Sequence, residues 1–220
     1  DFRELVVSLQ GLSAAAPTIT AAAEFVGHGP LAADTGPLVG IECLFINEWG
    51  IPDFRLLLIS PKACYRVAFS KGVPCRFKRV PHEKVTRVVK CSSPLNKMNT
   101  VSESGVQMFT TMPPDKLAWG LRAPAYLHGK KEVEVNLEYV PLSLNLPPLQ
   151  ASDALAAAVV RAAELLRHAT GESWPVPTLA SWQNRGTGDS CGRWKGTMKP
   201  DLLVHESSAR ATSSAGQTLQ

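Results

Sequence analysis

The chain has 220 residues, 45% hydrophobic and 19% charged, with a formal net charge of +4. This is a globular composition rather than a disordered or membranous one, and a folded part of about 150 residues buries roughly 70% of its unfolded surface, enough for a core. The apolar runs Leu56 to Ile59 and Ala154 to Val160 fall short of the ~18–20 residues of a membrane span.

Phe2, Leu5, Val6, Leu9 and Leu12 recur at helical spacing, so residues 2–12 read as a short amphipathic helix. The chain opens on Asp1 and is read as a fragment or processed product; Arg3 and Glu4 precede no apolar stretch of the signal-peptide kind. Residues 13–37, rich in Ala, Gly, Pro and Thr, read as a loop.

Strands are expected at Leu38–Ile46, Phe54–Ser60 and Cys64–Phe69, forming an antiparallel meander. Val85–Val89 and Val106–Thr110 are two more, with polar Ser92 to Gly105 as an exposed loop between them. The prolines following Thr111 fit the first turn of a short helix, where a missing N–H costs nothing.

Residues 131–140 alternate Val133, Val135, Leu137 and Tyr139 with Glu132, Glu134, Asn136 and Glu138. Period two gives a strand with one face in a core and one acidic face in water. Leu142, Leu144 and Leu146 continue the alternation beyond Pro141, which marks an edge or a bulge. Residues 152–169 form the clearest helix: Ser152 or Asp153 caps it, Leu155, Val159, Ala162, Leu166 and Ala169 make its apolar stripe, and Gly171 follows as a left-handed terminator. Residues 183–220 lack periodicity and read as a disordered tail. The predicted architecture is therefore α+β: a mostly antiparallel sheet with one long Ala-rich helix packed on it. The organisation is an N-terminal helix and loop (1–37), an α+β domain (38–182) and the tail.

The strongest chemical signal is charge. Residues 62–97 hold ten cations and one acid, a local +9, so the remainder of the chain is −5. Such asymmetry points to an acidic partner: nucleic acid, an anionic lipid surface or an acidic protein. The candidate contacts are Lys62, Arg66, Arg76, Lys78, Arg79, Lys84, Arg87 and Lys90, with Tyr65, Phe69 and Phe77 interleaved as base-stacking candidates. Against this, the aromatics can face the core and the cations can simply solvate the outside of a meander.

Catalytic motifs are unconvincing. Asp34-Thr35-Gly36 matches the aspartic-protease triplet, but Ala32, Ala33 and Pro37 flank it wrongly and no second copy exists for a shared-proton dyad. Gly188 to Gly192 resembles a serine-protease nucleophile loop placed in the tail, without the rigid base a nucleophile needs. The histidines His28, His82, His128, His168 and His205 form no ligand pattern, and no phosphate-binding glycine motif occurs, so neither metal nor cofactor is expected. Ser60-Pro61 and Ser93-Pro94 bracket the basic segment as candidate sites for a proline-directed kinase. Five cysteines without a C-x-x-C pair read as free thiols in a reducing compartment, cytosol or nucleus.

The order His128-Gly-Lys-Lys, Val135-Asn136-Leu137, Leu146-Pro147-Pro148-Leu149-Gln150, a helix, and Leu179-Ala180-Ser181-Trp182 resembles an uncharacterised vertebrate family named for an open reading frame on human chromosome eighteen. It carries a domain of unknown function, and the likeness covers about a quarter of the chain. The resemblance implies no catalytic residues and favours a non-enzymatic protein. Three functions follow as expectations: a non-catalytic interaction protein within an intracellular assembly, a nucleic-acid binder using residues 62–97, or an enzyme whose site is assembled from distant residues.

Overall fold

Leu56, Leu57, Leu58 and Ile59 are consecutive, and all four are buried. In a strand they point alternately to opposite faces, so both faces of β2 (Pro52–Ile59) are covered. Leu57 and Ile59 join a large cluster with Ile41, Met108, Leu155 and Val159. Leu56 and Leu58 join a smaller one with Ala22, Tyr65 and Val67. The computed structural model that shows this describes residues 1–27, 36–47, 51–94, 102–113 and 131–181.

The other strands are β1 (Val39–Ile46), β3 (Ala63–Ser70), β4 (Val73–Pro81), β5 (Val85–Pro94), β6 (Ser102–Met112), β7 (Val133–Pro141) and β8 (Thr178–Ser181). They form one sheet in the order β4-β3-β2-β1-β7-β6-β5-β8. Every pairing is antiparallel except that of β8 with β5. Helix α3 (Pro148–Thr170) packs on the large cluster through Ala151, Leu155, Ala156, Ala158, Val159 and Ala162. The small side chains bring the helix close to the sheet. The expected α+β class, a mostly antiparallel sheet under one long Ala-rich helix, is the observed one.

Helix α1 (Phe2–Ser8) opens with a capping box at Asp1, whose carboxylate accepts from Arg3 N at 2.6 Å. Leu5, Leu9 and Leu12 are buried in the same cluster as α3, so this segment belongs to the core.

Several expectations are corrected. The segment 13–37 is not all loop, because Ala16–Phe25 forms helix α2. Pro17 fits its first turn, alanines propagate it, and Gly27, at φ 75°, follows its end. β4 and β8 had no counterpart in the sequence reading. Within the expected loop 92–105, residues 92–94 and 102–105 are ladder, since β5 runs to Pro94 and pairs there with Ser102 of β6, and residues 95–101 lie outside the described ones. Thr111 and Met112 end β6 rather than start a helix, and residues 114–130 lie outside the described ones. Leu142–Leu146 do not extend β7: the Ser143 hydroxyl accepts from Leu146 N at 3.0 Å, bending the chain away and leaving Leu144 exposed. α3 starts at Pro148, four residues early, with Ser152 inside it donating to Ser104 O at 2.8 Å. Gly171 terminates it at φ 68°, as its left-handed role requires. The tail expected at 183–220 lies outside the described residues.

Candidate interaction surface

The eight cations picked from the sequence separate into three environments. Lys84, Arg87 and Lys90 are matched by carboxylates. Lys84 Nζ lies 2.6 Å from Glu132 Oε1, Arg87 Nη2 is 3.4 Å from Glu134 Oε2, and Lys90 Nζ is 2.7 Å from Asp153 Oδ1 on α3. Thr86 Oγ1 also donates to Glu134 at 2.6 Å, and the Arg87 guanidinium sits 4.0 Å over the Phe109 ring. The hydrogen bond from Lys84 holds the Glu132 carboxyl below its ordinary value.

The expected acidic, water-facing row of β7 is corrected accordingly. Glu132 and Glu134 meet the basic strand, and Glu138 is 5% exposed, within 3.4 Å of the buried Gln107 amide. The basic segment and the acidic row, which look like two surface features in the sequence, meet at two points, Lys84 with Glu132 and Arg87 with Glu134.

Arg66 occupies a second environment. On β3 it alternates with Tyr65 and Val67, which face α2, so it points to the opposite face. Its guanidinium lies 3.7 Å over the Phe45 ring. It neighbours Cys43 and Tyr139, both buried, and burial pushes the Cys43 thiol up from 9.0 to about 12 against the opposing charge of Arg66. This neutral thiol stabilises the fold in full below its ordinary value of 9.0, and the contribution is lost as pH rises towards about 12. Native protein treated with iodoacetamide near pH ~8 is expected to be alkylated at exposed Cys75, with Cys43 and Cys64 reacting only after unfolding. Peptide mapping reads each thiol separately; early labelling of Cys43 contradicts the packing of β1.

The third environment holds Lys62, Arg76, Lys78 and Arg79, all exposed. Lys62 lies in the β2–β3 connection. The other three sit on β4, an outermost strand of the sheet. From Cys75 to Arg79 both faces of β4 are exposed. Alternation with buried Val80 places Arg76 and Lys78 on the α3 side and Phe77 and Arg79 on the α2 side.

Of the three aromatics expected to stack on bases, Tyr65 is buried, Phe69 is half-buried and Phe77 is 44% exposed. The Phe77 ring packs against Phe25 at 5.8 Å and Tyr65 at 6.2 Å, while Phe54 lies 6.3 Å from Phe69. Phe25 and Phe54 lie outside residues 62–97, so the composition of that segment does not include them. Their exposure with Phe77 creates an aromatic shelf on the α2 side of the sheet, the face that Arg79 shares.

The remaining motifs carry less. Ser60 is fully buried, its hydroxyl accepting from Ala63 N at 3.1 Å, so the native fold denies it to a kinase. His82 is buried, with Nε2 2.9 Å from Ser60 O. Asp34, Thr35 and the Gly188–Gly192 segment lie outside the described residues. Among the described residues no group of three His, Cys, Asp or Glu side chains could hold a metal. No described helix is long and apolar enough to cross a membrane.

No family model matches the chain, and no curated protein matches it. Among solved structures it is similar to the hSac2 domain from human phosphoinositide phosphatase Sac2. The identity is 13% and the TM-score 0.43, over 81% of this chain and 95% of that one.

Proposed function

We propose that this chain is a non-catalytic interaction module of an intracellular assembly, and that it takes an acidic protein partner on the surface of β4. The expected kinship of residues 128–182 with the chromosome-eighteen open-reading-frame family belongs to the same proposal. The observation that carries the reading is the sorting of the basic segment. Lys84, Arg87 and Lys90 meet carboxylates and Arg66 stacks on Phe45, while Arg76, Lys78 and Arg79 lie on one outer strand, with an exposed aromatic shelf on the face that Arg79 occupies. Exposed aromatics next to arginines are the composition of a protein-recognition patch.

Nucleic acid is the second reading. It is less favoured because the cationic row has shrunk from eight candidates and because Tyr65 offers no open ring face. Polyglutamate is expected to bind at low ionic strength and to release as salt rises. Reversing Arg76, Lys78 and Arg79 to glutamate should weaken it by about tenfold or more, whereas Lys84→Gln with Arg87→Gln should leave it within about twofold. Tighter binding of a mixed-sequence oligonucleotide than of polyglutamate, at matched charge and salt, overturns the reading.

A further inference from the structure

The pairing pattern fixes which backbone groups of β4 face outward. Ser60 N donates to Ala63 O at 3.0 Å across the β2–β3 turn, so in the alternating antiparallel ladder Ala63, Tyr65 and Val67 bond towards β2. Cys64, Arg66 and Ala68 then bond towards β4, opposite Val80, Lys78 and Arg76. His82 N donating to Lys62 O at 3.2 Å gives the same phase independently. The N–H and C=O groups of Phe77 and Arg79 therefore point away from β3, and among the described residues no strand lies beyond β4. Pro81 has no N–H and falls at an outward position, where the β3–β4 ladder loses nothing by it.

We infer that β4 binds an extended acidic segment by strand addition, with the Phe77 and Arg79 backbone groups as the hydrogen-bonding template. This rests on the reading of β4 as the interaction surface. Edge cations and prolines also serve to discourage unwanted pairing. That role does not account for Phe77 at 44% and Val73 at 64% exposure on the same strand. A second copy of the chain is a poor occupant, because β4 against β4 brings two copies of one cationic edge, each with Arg76, Lys78 and Arg79, side by side. A segment alternating acidic and apolar residues is complementary. Its acids on one face meet Arg76 and Lys78, and on the other face an apolar side chain meets Phe77 beside Arg79. Pro74 and Pro81 limit the open edge, so the added strand is short.

The test uses the full chain and an acetylated, amidated octapeptide alternating glutamate and valine. Two further versions carry backbone N-methyl groups, one on every glutamate and the other on every valine. Strand addition requires that one methylated version lose about tenfold or more in affinity while the other stays within about twofold, because alternate N–H groups of the added strand face β4. The amides of Phe77 and Arg79 should gain hydrogen-exchange protection on adding the parent peptide. If the parent and both methylated peptides bind alike, strand addition is overturned and the charged surface stands. If polyglutamate binds and the octapeptide does not, the result is the same. If neither polyglutamate nor octapeptide binds, or an oligonucleotide outbinds both, the inference and the reading beneath it fall together.

Discussion

Leu155→Ala is expected to lower the unfolding free energy by about 2–5 kcal/mol, read as a fall in denaturant midpoint at unchanged slope. Leu155 is 1% exposed and is the largest fully buried side chain of α3. The helix lacks a side-chain cap at Pro147, so its stability depends on docking rather than on its own ends. The alanines around Leu155 have little volume with which to refill the cavity, which places the cost towards the upper part of the range. Leu149→Ala, at a position 62% exposed on the same helix, should change stability by less than about 0.5 kcal/mol. A similar small effect at both positions would mean that α3 does not cover the sheet as described.

Gly40→Val should destabilise by about 1–3 kcal/mol through overpacking. The reason is the seat of α2. Ala14 N donates to Gly40 O at 2.7 Å, drawing the start of the helix onto β1. A Cβ at Gly40 would lie 2.7 Å from Ile19 Cγ1 and 3.2 Å from Leu58 Cδ2. Cγ1 is close to the stem of its side chain, and Leu58 is fully buried, so neither neighbour can swing clear. The helix must lift from the sheet. Adding Ile19→Ala removes the first clash, so the double variant should be less destabilised than the sum of the two single ones, by about 1 kcal/mol. Strict additivity would place the strain elsewhere.

The elements with strong periodicity are legible in the sequence. β7 announces itself by alternation, and α3 by its stripe and by Gly171. The elements that escaped have physical reasons. Only Ala22 of α2 is fully buried, so the helix has almost no apolar period to read. β4 is exposed on both faces from Cys75 to Arg79, and a strand without an inside has no alternation. β8 is four residues long and is a strand only by virtue of β5.

The site was legible as a composition and not as a surface. Counting charge along residues 62–97 could not show that Lys84 and Arg87 would meet Glu132 and Glu134, 48 and 47 residues later. Nor could it show that Phe25 would come to rest against Phe77. The cations that lie away from that acidic row include Arg76, Lys78 and Arg79 on β4, and they were not separable from the rest by counting.

The burial of Leu5, Leu9 and Leu12 against the core that α3 completes has a consequence for how the protein is made. The first helix leaves the ribosome long before the partner that shelters it. At ordinary synthesis rates the delay is on the order of ten seconds. Through that interval a leucine-lined segment has nowhere to bury itself, so the nascent chain presents a sticky stretch that chaperones can hold. Final closure of the core must await translation past Thr170, which places it after the synthesis of its last helix.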